Sequence, residues 1–180
     1  MKRALIIYWS ATGNTERCAR SIQAGLTDAG WETELWKMGA EGSQGLEFYD
    51  YDLVCVGAPS YNWSAPKPAD AYLKAKFQEY KARGEVVPGA PKRPGKNALI
   101  FCTYCGTHTG MNEAVPAGKY LGQFFEHFGF TVADEWYILS EYVGNEPNNT
   151  LGRMGDVRGL PNEADMVRLR TAAKNLAGRL

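Results

Sequence analysis

The run Ala4-Leu5-Ile6-Ile7-Tyr8-Trp9-Ser10-Ala11-Thr12-Gly13-Asn14-Thr15 changes character at its middle. Ala4 to Trp9 is continuously apolar, as a strand covered on both faces requires. The second half gathers the hydroxyls of Ser10, Thr12 and Thr15 with Gly13 and Asn14 in a turn. A helical segment follows over Asn14 to Ala29, with Cys18, Ile22, Leu26 and Ala29 on one stripe and Gly30 as the stop. A turn between strand and helix aims backbone N–H groups and the positive end of a helix dipole at one place, which suits a phosphate dianion. Gly13 tolerates the positive φ of a concave N–H nest, and the hydroxyls add neutral donors.

Beyond this unit the same alternation continues. Trp31 to Trp36 reads as a weaker, alternating edge strand, and Asp52 to Gly57 as another buried one. Pro68 to Arg83 is helical, with Ala69, Tyr72, Leu73, Phe77 and Tyr80 on one side. Gly84 to Lys96, with its prolines and basic residues, reads as an extended connector. Strand Ala98 to Cys102, helix Asn112 to Phe128 and strand Thr131 to Leu139 come next. Asn162 caps a last helix towards Leu180, with Asp165 well placed in its first turn. Five strands alternating with helices predict an α/β fold, a parallel sheet with helices on both faces. Gly39 to Tyr51 is too short and glycine-rich for a good helix. Ser140 to Pro161 reads as a structureless connection, long enough to suggest a functional loop. No repeat or domain boundary interrupts residues 1–180, so a single domain is expected.

The phosphate turn contains no Lys or Arg. It lacks the Gly-Lys-Ser/Thr ending of a triphosphate loop, and the chain lacks the G-x-G-x-x-G of a dinucleotide fold. A monophosphate held by neutral donors remains. The string Thr12-Gly13-Asn14-Thr15 after strand one resembles the phosphate-binding signature of the flavodoxins and their relatives. That resemblance implies FMN as cofactor, its phosphate on Ser10, Thr12, Gly13, Asn14 and Thr15. It also implies a flavodoxin-like, doubly wound five-stranded sheet of order 2-1-3-4-5. Flavodoxin is itself the standard illustration of ligand binding at the switch point of such a sheet.

Two further loops extend the resemblance. Gly57-Ala58-Pro59-Ser60-Tyr61-Asn62-Trp63 is similar to the first flavin-ring loop of the superfamily. Either Tyr61 or Trp63 is suited to stack on the ring, with Pro59, Ser60 and Asn62 along its edge. Thr103-Tyr104-Cys105-Gly106-Thr107-His108-Thr109-Gly110 matches the second ring loop by position, which implicates Thr103, Tyr104, Cys105, Gly106 and His108. His108 is the candidate proton donor to the flavin or to a quinone-like acceptor, or else a loop residue with structural bonds. Cys102 and Cys105 form a C-x-x-C that reads either as a flavin-linked dithiol or as one core and one loop cysteine. No metal site is expected, since zinc would need a second cysteine pair.

Charge and composition narrow the partners. Twenty Lys and Arg balance twenty Asp and Glu, leaving no global pull towards nucleic acid or an anionic membrane. The first apolar run is too short for an export signal or a membrane span, so a cytoplasmic setting is expected. The resemblance implies an electron-transfer flavoprotein working with a redox partner protein. Its rival is an NAD(P)H-dependent FMN or quinone oxidoreductase, with Arg153 and Arg158 as candidate grips on the nicotinamide cofactor. Many such reductases complete their sites across a subunit interface, which leaves a homodimer open. Family flavodoxins place acids near the ring. Neither Gly57 to Pro66 nor Thr103 to Gly110 contains one, which predicts a less negative second reduction potential.

Overall fold

The computed structural model describes residues 1–180. Five parallel strands form one sheet: β1 (Arg3–Tyr8), β2 (Glu32–Lys37), β3 (Leu53–Pro59), β4 (Asn97–Tyr104) and β5 (Thr131–Leu139), in the order β2-β1-β3-β4-β5. Connections run both ways from β1, so the chain reverses direction across the sheet between β1 and β3. Ligands bind at such a switch point, outside the carboxyl ends of the strands. The register brings Tyr8 beside Gly57, and Pro59 beside Thr103. The loops after β1, β3 and β4 therefore leave the sheet together.

Period-2 alternation divides the core into two layers. Leu5, Ile7, Val54 and Val56 face α2 (Lys67–Ala82) and α3 (Val115–His127), over Tyr72, Leu73, Phe125 and Phe128. Ala4, Ile6, Leu53 and Cys55 face α1 (Asn14–Asp28) and α5 (Glu163–Ala177), over Ile22, Leu26, Leu169 and Leu176. The pair α1 and α5 pack so closely that a Cβ on Gly25 would lie 2.1 Å from the Arg170 carbonyl oxygen. Only glycine fits there.

The crossover from β2 to β3 carries no helix, only 3₁₀ turns at Ser43–Gly45 and Phe48–Asp50. A buried cation holds it in place. The Lys76 ammonium, fully enclosed, donates to the Glu79 carboxylate at 2.8 Å and the Gln44 carbonyl at 3.1 Å, and lies 5.2 Å from the Tyr80 ring. Such burial is tolerable only with this much pairing.

Two sequence expectations are corrected. The helix expected over Asn112 to Phe128 begins later, because a 3₁₀ turn at Gly110–Glu113 precedes α3. Pro116, which has no N–H to donate, sits in the first turn of α3. The stretch Ser140 to Pro161 is not structureless. It contains the short helix α4 (Glu146–Thr150), whose first turn holds Pro147 and whose Asn145 side chain accepts the Asn148 N–H at 3.2 Å. Buried Asn149 fastens the loop, accepting the Tyr142 N–H at 2.7 Å and donating to the Tyr142 carbonyl at 3.0 Å.

Candidate functional site

At the carboxyl end of the sheet the loops after β1, β3, β4 and β5 enclose a pocket of about 480 Å³. Its foundation is the start of α1. Gly13 occupies the N-cap position at φ 100°, where L-residues are strained, and no side chain caps the helix. Ser10 Oγ accepts the Gly13 N–H at 3.1 Å. The N–H groups of Ala11, Thr12, Asn14 and Thr15 find no acceptor in the protein. Those of Asn14 and Thr15 are donors that helix geometry leaves over, those of Ala11 and Thr12 belong to the turn before it, and all four residues line the pocket. The Thr15 hydroxyl is turned inwards and lies 2.8 Å from that of Thr103, joining the start of α1 to the end of β4.

The loop after β3 closes as a tight two-residue turn. Tyr61 and Ser64 exchange backbone hydrogen bonds of 2.9 and 3.1 Å. Between them Asn62 (φ 47°) and Trp63 (φ 65°) both take left-handed backbone, the pairing expected of a type I′ turn. For tryptophan that conformation is costly, and it presents the ring outwards, 62% exposed. Tyr61 is braced edge-on by Trp9 at 6.0 Å. The two aromatics thus differ: one is supported, the other free.

The loop after β4 carries Cys105 and His108 into the pocket wall. Cys105 Sγ donates to the Asn148 carbonyl at 3.4 Å, linking this loop to α4. Cys102 is sealed in the core, and burial pushes its thiol up to about 12, unfit for thiolate chemistry at neutral pH. All four cysteines are free thiols. The His108 imidazole is exposed and has no hydrogen-bond partner to orient it. No cluster of His, Cys, Asp and Glu is arranged to hold a metal.

The structure brings Ser10, Thr12, Asn14, Thr15, Pro59, Ser60, Tyr61, Asn62, Trp63, Thr103, Tyr104, Cys105, Gly106 and His108 around this one pocket. Gly13 shapes its floor without lining it. Ala11 of the phosphate turn lines it as well, and the expected functional loop Ser140 to Pro161 contributes Ser140, Glu141, Tyr142, Val143 and Asn148, while Glu113 lies outside every segment singled out in the sequence. The loop after β5 folds over the site, and the Asn14 side chain donates to the Glu141 carbonyl at 3.1 Å. The apolar pair Tyr142-Val143 inside a polar loop was the available signal.

Glu113 and Glu141 overturn the premise that the pocket lacks acids. Neither lies in the two ring-loop segments: Glu113 ends the 3₁₀ turn that follows the second, and Glu141 arrives from the loop after β5. Arg158 is neutralised by Asp156 at 2.5 Å and Glu146 at 2.9 Å, and neither it nor Arg153 lines the pocket.

The chain is similar to known proteins. A family model described as flavodoxin domain matches residues 5–114. The flavodoxin of Megasphaera elsdenii is 29% identical over 142 residues, which cover 79% of this chain and 89% of that protein. Oxidised flavodoxin 1 of Bacillus cereus superposes with a TM-score of 0.68 at 15% identity, covering 99% of each chain. The flavodiiron core of Flv1 from Synechocystis sp. PCC6803 gives a TM-score of 0.66 at 16% identity. It is matched by 99% of this chain, which spans only 36% of its length.

Proposed function

This chain belongs to the flavodoxin family, whose cofactor is FMN, and we propose that it carries electrons between redox partner proteins and does not itself oxidise NAD(P)H. The start of α1 fits the cofactor. A phosphate there meets the free N–H groups of Ala11, Thr12, Asn14 and Thr15, the hydroxyl of Thr12 and the dipole of a fifteen-residue helix. Tyr61, Trp63 and Tyr142 offer aromatic faces to the ring, and Pro59 to Trp63 with Thr103 to Gly106 supply backbone along its edge. Bound FMN supplies the redox chemistry, and the chain supplies binding, orientation and electrostatics.

The observation that carries the choice of carrier over reductase is the charge of the pocket wall. It contains no Lys or Arg, while Glu113 and Glu141 are part of it. A nicotinamide dinucleotide would bring its pyrophosphate to a wall with no cation to receive it. The rim is instead apolar and exposed: Trp63, Tyr142 and Val143 at the pocket, with Met111, Leu151 and Met154 on neighbouring segments. An exposed apolar rim around a redox site suits protein docking.

Anaerobic mixing of the FMN-loaded protein with NADH and, separately, with NADPH tests this reading. Flavin absorbance should persist with both and bleach with dithionite. Rapid bleaching by either nucleotide would overturn the carrier reading in favour of a reductase.

A further inference from the structure

Tyr142 supplies the pocket with an aromatic ring from a loop outside the three that resemblance assigns to the cofactor. The loop after β4 offers little in its place, since Tyr104 is only 8% exposed. Tyr142 lies near Tyr61 of the turn after β3. Burial raises the Tyr61 phenol above its ordinary value, and the Tyr142 phenol nearby adds to the rise. Tyr142 belongs to neither β5 nor α4, so no strand or helix fixes its main chain.

A side chain does so instead. Asn149, buried on α4, accepts the Tyr142 N–H on Oδ1 at 2.7 Å and donates from Nδ2 to the Tyr142 carbonyl at 3.0 Å. One amide group thus holds both polar groups of a single residue, as a partner does in a hydrogen-bonded pair of antiparallel strands. The carbonyl also takes the Asn145 N–H at 3.0 Å, but the Tyr142 N–H has no other acceptor. Asn149 can transmit position because α4 and the turn after it are tied to the loop after β4. Cys105 Sγ donates to the Asn148 carbonyl at 3.4 Å, and the Arg153 N–H donates to the Thr107 carbonyl at 2.7 Å. Without the amide, the ligand itself would have to order Tyr142, and that ordering weakens binding.

We propose that Asn149 is a positioning residue whose amide fixes the Tyr142 main chain, so that the Tyr142 ring stands ready against FMN from the side of β5. It acts on the cofactor only through that ring. The proposal rests on reading the pocket as the FMN site.

Asn149→Leu keeps the side-chain bulk and removes both bonds, whereas Tyr142→Ala removes the ring and leaves both bonds in place. In the apoprotein, hydrogen exchange at the Tyr142 N–H should quicken about tenfold in Asn149→Leu, with the amides of β1 unchanged. Affinity for FMN should fall about tenfold in each single variant. The double variant should bind no more than about twofold more weakly than Tyr142→Ala, because the amide then has no ring to position. A merely structural role would lower affinity again in the alanine background, to about a hundredfold in all. That outcome, or wild-type affinity in either single variant, would overturn the proposal. Wild-type exchange at Tyr142 in Asn149→Leu would overturn the amide grip itself. Should the leucine variant fail to fold, Asn149→Ala, which admits water to the freed groups, takes its place in the same comparisons. Failure of the wild-type protein to bind FMN would overturn the site assignment, and the apoprotein exchange measurement separates that failure from failure of the grip.

Discussion

Helices α1 and α5 are each fifteen residues long and lie side by side on one face of the sheet, but they begin in opposite ways. At the start of α5, Asn162 Oδ1 accepts the Asp165 N–H at 3.1 Å and Asp165 Oδ2 accepts the Asn162 N–H at 2.7 Å, a complete capping box. Glu163 and Asp165 also place negative charge on the dipole. At the start of α1 a left-handed glycine stands where the cap would be, the Ser10 hydroxyl accepts only the N–H of that glycine, and the Thr15 hydroxyl turns to Thr103. Arg17 links the two starts, donating to the Pro161 carbonyl at 2.8 Å. A helix start that satisfies itself serves stability. One left open at a switch point is free to meet a ligand, and under the proposed function the contrast points to the start of α1 as the phosphate site without any cation to mark it.

The sharpest way to break this contrast is at Gly13. A Cβ there would touch nothing within 4 Å, so the cost of a side chain is conformational and not steric. A β-branched residue at φ 100° is disfavoured by roughly 2 kcal/mol. If the variant turn relaxes in the apoprotein to escape that strain, FMN binding has to restore it. Gly13→Val should weaken FMN binding by about thirtyfold while leaving the melting temperature of the apoprotein near that of the wild type. Unchanged affinity in a fluorescence titration would show that the nest of N–H groups is not needed.

Thr15 sharpens the contrast from inside the helix. Its hydroxyl serves Thr103 and not the helix start, and both groups are buried. Thr15→Val leaves the Thr103 hydroxyl without a partner, which should cost about 1.5 kcal/mol in chemical denaturation. Adding Thr103→Val removes the stranded group and should recover most of that loss. If the double variant is as unstable as the sum of the single ones, the two hydroxyls are not coupled.

Much of this was legible because the signals are local. The apolar run from Ala4 to Trp9 and the turn chemistry of Ser10 to Thr15 lie within one strand, turn and helix, and the sheet order followed from them by resemblance. The Asn162 cap was equally plain. What escaped is set by tertiary folding. Glu113 is separated from Ser60 by 53 positions along the chain, yet they share a hydrogen bond. Glu141 reaches the pocket because the loop after β5 folds back onto Asn14, 127 residues away. An inventory of acids inside the ring loops is blind to charge delivered from outside them. Short helix α4 was readable in principle from Asn145-Glu146-Pro147, a cap followed by an acid and a proline. It was lost because one helical turn leaves no hydrophobic period to detect.

The smallest effect is expected at the helix that satisfies itself. Asn162→Ala removes the acceptor for the Asp165 N–H and leaves the Asp165 carboxylate to cap alone. Loss of such a cap costs about 1 kcal/mol, which for a domain of this size lowers the melting temperature by about 3 °C. Asn162→Gly should cost only a few tenths of that, since glycine tolerates the cap geometry and admits water to the free N–H groups. Neither change should alter the affinity for FMN, because the α5 start takes no part in lining the pocket. The two helices would then separate cleanly, one variant changing stability at constant affinity and the other changing affinity at constant stability. A tenfold loss of FMN binding in Asn162→Ala would break that separation. It would mean that the Arg17 contacts to Pro161 and Glu163 transmit order from one helix start to the other, so that the open start of α1 depends on the closed start of α5.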